Sequence, residues 1–302
     1  MTKAQAAIFH EGTRQHYFLE YVLETDATPD DLRHALSAAL ASVAREAEGE
    51  PPQVVVAFGP QAWILLSPDE APEHLRPFAP IEGPDGLHAP ATQHDIFVWV
   101  HGDKTDEVFW AAMVMHREIA PLARLRLEEP GFVFRDSRDL GGFVDGSANP
   151  KGEDRLPVAL IPEGEACAGG SYVLGMRWIH DLTSFHKLSV EEQERVIGRT
   201  KIDSVEFEGD VMPEDAHVAR TDRKRDGVTQ KLYRRSTPIG SVDAYGLYFL
   251  AFCCDPARFE FLLESMYGVD GGPVDRLLSF STPTTGSLFF APSREQLKTL
   301  LK

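Results

Sequence analysis

What most constrains this chain is a doubled order of elements. Apolar residues at period two mark strands, and at period 3.6 they mark helices. On that reading the first half runs strand, helix, strand, strand, helix, strand. Residues 16–24 are aromatic and branched and predict a strand. Thr28-Pro29-Asp30-Asp31 supplies an N-cap, a proline at the first helical position and acids in the first turn. It opens a helix over 29–47, with Leu32, Leu36, Leu40 and Val43 on one face. Strands are expected at 53–58 and 95–101, joined by an irregular connection over 67–93. A helix from Lys104 to about Glu118 and an extended segment over 125–135, interrupted at Pro130-Gly131, complete the unit. The second half repeats the order: strand 171–180, a helix opened by the capping box Ser189-Val190-Glu191-Glu192, and a polar loop over 203–230. Strands 232–236 and 245–253, a helix from Pro256 to Met266, strand 286–291 and a closing helix over 293–302 follow. Two such units in succession predict an α+β protein of tandem ferredoxin-like domains, each an antiparallel sheet with helices on one face. The expected divisions are 1–140, a linker over 141–165, and 166–302. The linker then borders an inter-domain cleft, where ligands commonly bind.

Composition narrows the partners. The 302 residues are 43% hydrophobic, enough for a sizeable core. A net charge of −17 argues against nucleic acid and anionic membrane, and suits a neutral or cationic small substrate. The N-terminus lacks a basic region followed by an apolar one, and no apolar run is long enough for a membrane span. Cys167, Cys253 and Cys254 do not form a disulfide framework and read as reduced thiols, which points to the cytoplasm. No C-x-x-C or H-E-x-x-H is present, so a structural zinc site is not expected.

Three stretches carry chemistry. In the linker, Gly142-Phe143-Val144-Asp145-Gly146-Ser147-Ala148-Asn149-Pro150 holds an aspartate between glycines, on a turn that lets backbone approach something flat. A plain turn, with Asp145 bonded to its own backbone, explains the same residues. His217 lies between a polar stretch and a charged loop, in the setting of a surface residue, a cap or a neutral imidazole free to bind a metal. Arg234 and Arg235 are adjacent on a short strand, so their side chains leave by opposite faces. One can then enter the cleft while the other stays in solvent, and two solvated surface arginines are the ordinary reading of such a pair.

Together these stretches resemble the dye-decolourising peroxidase family, in particular its compact bacterial B-type branch. That family has Gly-x-x-Asp-Gly, here Gly142 to Gly146, and a haem-ligating histidine downstream, here His217 at a separation of 217 − 145 = 72 residues. An arginine follows, here Arg234 at 234 − 217 = 17, and a polar residue two positions on, here Ser236. The run Asp275-Arg276-Leu277-Leu278-Ser279-Phe280-Ser281-Thr282 resembles the family's C-terminal pattern, so the likeness covers nearly the whole chain.

The resemblance implies haem b, bound between the halves and mostly within the C-terminal one, with His217 as axial ligand to the iron and Asp275 as the partner of its other nitrogen. It implies Asp145 and Arg234 over the open iron position, Ser236 anchoring water or peroxide, and a ferryl intermediate. Arg220 and the backbone of Gly146, Ser147 and Asn149 are candidates for contact with the haem and its propionates. The implied reaction reduces H2O2 and oxidises phenolic or dye-like donors; an alternative is a haem-handling protein with incidental peroxidase activity. Relatives often carry a glutamate where this chain has Ala148, so manganese oxidation is not expected and organic donors are. Trp63, Trp99, Trp110, Trp178 and the tyrosines are candidates to carry radicals, though core packing accounts for most of them. A homo-oligomer, dimer or higher, is expected. Some relatives bear a C-terminal extension that targets encapsulin shells; this chain stops at Leu300-Leu301-Lys302, so a free cytoplasmic protein is expected.

Overall fold

Ten strands account for the main sheet of the protein, described over residues 3–302 in a computed structural model. In chain order they are β1 (Gln15–Leu23), β2 (Gln53–Phe58), β3 (Ile96–Gly102), β4 (Ala123–Phe132), β5 (Ser171–His180), β6 (Tyr233–Arg234), β7 (Thr237–Gly240), β8 (Tyr245–Cys253), β9 (Ser281–Pro283) and β10 (Ser287–Ala291). Every pairing is antiparallel. Eight strands form a ring in the order β8, β7, β4, β1, β3, β2, β10, β5 and back to β8. Two seams close it, Ile239 opposite Gly131 and Phe290 opposite Phe58. Gly131 is needed at the first seam: a Cβ there would lie 2.9 Å from Cγ2 of Thr237 and 3.1 Å from the Phe18 ring. The sequence led to two separate sheets; the structure has one closed sheet, because the edge strands of the two halves pair instead of facing solvent.

Closure gives each strand an inner and an outer face, both apolar. Inside, Phe18, Phe97, Trp99, Tyr248, Phe252 and Phe289 pack together. Outside, the sheet is covered by α1 (Pro29–Glu46), α2 (Thr105–Ile119) and α5 (Ala257–Met266), with α3 (Val190–Ile197) and α4 (His217–Thr221) between them in sequence. The Thr28 hydroxyl accepts from Asp31 N at 3.2 Å, and Ser189 and Glu192 form the expected capping box. A helix at Pro60–Leu66 was not anticipated, nor was α4, which is too short for its period to be read. The strand β4 runs straight through Pro130-Gly131, where an interruption was expected.

For function, the important surface is the outer face of β5 and β8. Leu174, Met176 and Trp178 alternate with Leu247, Phe249 and Ala251 there, and α5 lies over them.

Candidate functional site

A cavity of about 350 Å³ opens between that sheet face and the helices. Leu174, Trp178, Leu247 and Phe249 come from the strands, and Phe259, Leu262, Leu263 and Met266 from α5. The lining residues run from Asp139 to Ser281, so they come from the Asp145 turn and the chain that follows it. Its apolar walls and volume suit a flat organic group with polar contacts at a few points.

His217 is the first residue of α4 and lines this cavity. Its Nδ1 is 2.7 Å from Asp275 Oδ2, and the Asp275 side chain is fully buried. The second oxygen of Asp275 accepts from Leu277 N at 2.9 Å, capping the short 3-10 helix Arg276–Ser279. A buried carboxylate used twice as acceptor keeps the imidazole proton on Nδ1. Nε2 is left as a lone pair, the state a metal requires. Arg220, in the same helix, does not line the cavity. It is 3% exposed; its guanidinium donates to the Ser265 carbonyl at the end of α5 and, from Nη2 alone, to both carboxylate oxygens of Asp270 at 2.6 and 2.8 Å. A cation so held caps the helix carbonyls and ties α4 to α5.

The Asp145 turn forms another wall. Gly142 and Gly146 both have left-handed backbone, with φ of +95° and +72°. Asp145 N donates to the Ser137 carbonyl at 3.0 Å, and Asp145 Oδ1 accepts from Gly146 N at 2.6 Å, leaving Oδ2 without a backbone partner. Gly146, Ser147 and Ala148 line the cavity. Asn149 does not line it. Its amide clasps the main chain of Arg234, accepting from Arg234 N at 2.9 Å and donating to Arg234 O at 2.6 Å. The turn and the arginine strand are thus tied together. The Arg234 side chain lines the cavity with no hydrogen-bond partner among the described residues. Ser236 lines it too, its hydroxyl accepting from Leu250 N at 3.3 Å.

Arg235 does leave by the opposite face, but not to solvent. It enters the closed sheet, sits 4.8 Å over the Trp99 ring and donates to the carbonyls of Ile8 and His10 at 2.6 and 2.8 Å. Trp99 itself is buried inside the ring of strands, as core packing required.

Some lining residues were not singled out from the sequence. His180 holds Ser281 Oγ at 2.8 Å from its Nδ1, and burial pulls its imidazole down to about 4, so it is neutral near pH 7. Arg199 pairs with Glu206. Asp139 accepts from Phe143 N at 3.0 Å, and burial pushes its carboxyl up to about 6. An aspartate shortly before Gly-Gly is a turn signal, and that was the available clue to Asp139.

These features match known proteins along the whole chain. Residues 5–133 fit the N-terminal domain model of the Dyp-type peroxidases, and residues 136–296 the C-terminal one. The chain belongs to the Dyp-type peroxidase family. A dye-decolorizing peroxidase of Mycobacterium tuberculosis is 38% identical over 245 residues, covering 80% of this chain and 73% of that protein. One from Rhodococcus erythropolis is 36% identical over 248 residues, covering 80% and 72%. Among solved structures, DyPB of Rhodococcus jostii has a TM-score of 0.92 at 34% identity, with 99% of both chains covered. A Dyp-type protein of Shewanella oneidensis has a TM-score of 0.91 at 34% identity, covering 100% of this chain and 98% of its own. Variants of the Rhodococcus jostii protein are described in complex with heme. The protein is a haem peroxidase, and the B-type branch is consistent with its likeness to DyPB. Its residues fit the cofactor: an apolar cavity receives one imidazole whose Nδ1 is already committed to a buried carboxylate.

Proposed function

We propose that His217 Nε2 ligates the haem iron and that Asp145, Arg234 and Ser236 act on peroxide at the open position. The observation that carries this is the meeting of all four side chains on one cavity, although they lie up to 236 − 145 = 91 residues apart in sequence. Haem supplies the iron that binds peroxide and the oxidising equivalents passed to donors. Asp275 holds the His217 ring and raises its basicity. Asp145 Oδ2 would take one proton from hydrogen peroxide held in the cavity and return it to the oxygen that departs as water with the bonding electron pair, the two electrons being supplied by the haem. Arg234, with a fixed charge and no partner to surrender, stabilises the negative charge on that oxygen. Asn149 keeps Arg234 aimed, and Ser236 anchors peroxide or water. The backbone of Gly146 and Ser147 lies against the cofactor. Arg220 takes a structural role in this reading, since its guanidinium is already bound.

The donors are phenolic or dye-like organic molecules, a reading supported by the apolar lining and by a methyl group at Ala148. We read the closed sheet as two ferredoxin-like halves joined edge to edge: the strand orders β4-β1-β3-β2 and β10-β5-β8-β7 are equivalent, and they divide the chain near the 141–165 segment. The three free thiols support a cytoplasmic protein. Among the described residues no helix is long and apolar enough to cross a membrane.

Arg234→Leu tests the site. The variant should take up haem with an unchanged Soret band and lose about 10²–10³-fold in its rate with H2O2. Undiminished peroxide reactivity would overturn the assignment.

A further inference from the structure

Asp139 shares the cavity with Asp145 and has no role in the steps above. Its place is built. Asp139 N donates to the Phe143 carbonyl at 2.9 Å, Gly142 N donates to the Asp139 carbonyl at 3.1 Å, and Asp139 Oδ1 accepts from Phe143 N at 3.0 Å. Asp145 follows Phe143 by two residues, so the carboxylate of Asp139 fastens the turn that presents Asp145. The neighbouring glycine leaves the room: a Cβ on Gly141 would lie 3.2 Å from Asp139 Oδ1 and 3.3 Å from the Phe185 ring.

Few charges nearby can compensate Asp139. Arg138 is turned away, donating to Asp136 and to the carbonyls of Gly142, Lys201 and Ile202. Lys201 comes from the segment after α3, stacks 5.5 Å from the Phe143 ring and gives its Nζ to Gln193, while Glu194 accepts from its backbone N; its charge attracts the Asp139 carboxylate and, among the described residues, is the one cation of this wall that does. Arg199, in the cavity wall, is neutralised by Glu206. From the helix Leu182–Phe185 the contact is the Phe185 ring. Asp145 is thus the other carboxylate within reach, and it repels.

Resting on the assignment of Asp145 as the proton carrier, we propose that Asp139 is a positioning residue that sets the upper pH limit of the peroxide reaction. While Asp139 holds a proton, Asp145 is the sole anion of the turn, opposite the arginine that must stabilise the departing oxygen. When Asp139 ionises, a second negative charge appears beside the turn that presents Asp145. It opposes the development of further negative charge on that oxygen. Burial, then the neighbouring Asp145, raise the Asp139 carboxyl to about 6 against the Phe143 N–H, which opposes the rise.

The test compares wild type, Asp139→Asn, Asp139→Glu and Asp145→Asn. The wild-type kcat/KM for H2O2 should fall with a midpoint near pH 6. In Asp139→Asn that limb should move up by about one pH unit or more, and Asp139→Glu should restore it. A second readout needs no haem. A carboxyl with a raised folded pKa costs stability progressively from its unfolded value, near 3.8, to about 6. The melting temperature of the haem-free Asp139→Asn protein should therefore gain on wild type between pH 4 and 7. An unshifted limb together with a pH-independent difference in melting temperature would overturn the proposal. If Asp145→Asn reacts with peroxide as wild type does, the assignment of Asp145 fails first and the proposal with it.

Discussion

Asp275→Asn perturbs one hydrogen-bonding atom of the proposed iron-binding assembly and little else. Asparagine has nearly the shape of aspartate, and its oxygen can keep the 2.9 Å bond from Leu277 N that starts the 3-10 helix. Its NH2 group then occupies the Oδ2 position, 2.7 Å from His217 Nδ1. Two donors now face each other. The imidazole relieves the conflict by moving its proton to Nε2, which removes the lone pair meant for iron, or by turning away. The charge-assisted bond lost is worth roughly 1.5–3 kcal/mol, and Asp275 is fully buried, so solvent offers no substitute. At 1.4 kcal/mol per tenfold, haem affinity should fall roughly 10- to 100-fold. Titration of haem into the haem-free variant, followed at the Soret band, measures this; circular dichroism checks that the fold persists. Wild-type affinity and an unchanged spectrum in Asp275→Asn would refute the reasoning that this carboxylate sets the histidine's proton.

Other substitutions separate holding from chemistry. Asn149→Ala removes both bonds to the Arg234 main chain and should cost about 1–2 kcal/mol of stability, read by denaturant titration. It should also lower kcat/KM for H2O2 more than it lowers haem affinity, because the arginine loses its aim. Arg220→Leu leaves the Ser265 carbonyl without its donor and Asp270 with only Arg223 and the Gly272 N–H at the junction of α4 and α5, and should destabilise the fold by about 1–3 kcal/mol. If Arg220→Leu instead kept full stability and lost only haem affinity, the cofactor role expected from the sequence would return.

Much of this was legible in the residues. The strand over 171–180 and the helix starting at Pro29 lie where alternation and capping put them, because both signals are local. The closed sheet was not legible. Its seams, Ile239 with Gly131 and Phe290 with Phe58, join residues 239 − 131 = 108 and 290 − 58 = 232 positions apart, and no local pattern reports such pairing. That one omission explains the error over Arg235. Alternation correctly sent Arg234 and Arg235 to opposite faces, but in a closed sheet the second face is an interior lined by Trp99. The partners of Arg220 were not legible for another reason: nothing in its neighbourhood shows that α5 will end beside it with a free carbonyl. The candidate site was legible as types and spacings, Asp145, His217, Arg234 and Ser236, while its polar support from Asn149 and Asp139 became visible only in three dimensions.

One spectrum bears most directly on the central claim that His217 holds haem in this cavity. Purified wild-type protein supplied with haem should show a Soret band that changes on addition of H2O2, and His217→Ala, folded to the same extent, should lose the wild-type band. A wild-type protein that binds no haem, or a His217→Ala variant with an unaltered Soret band and peroxide response, would contradict it.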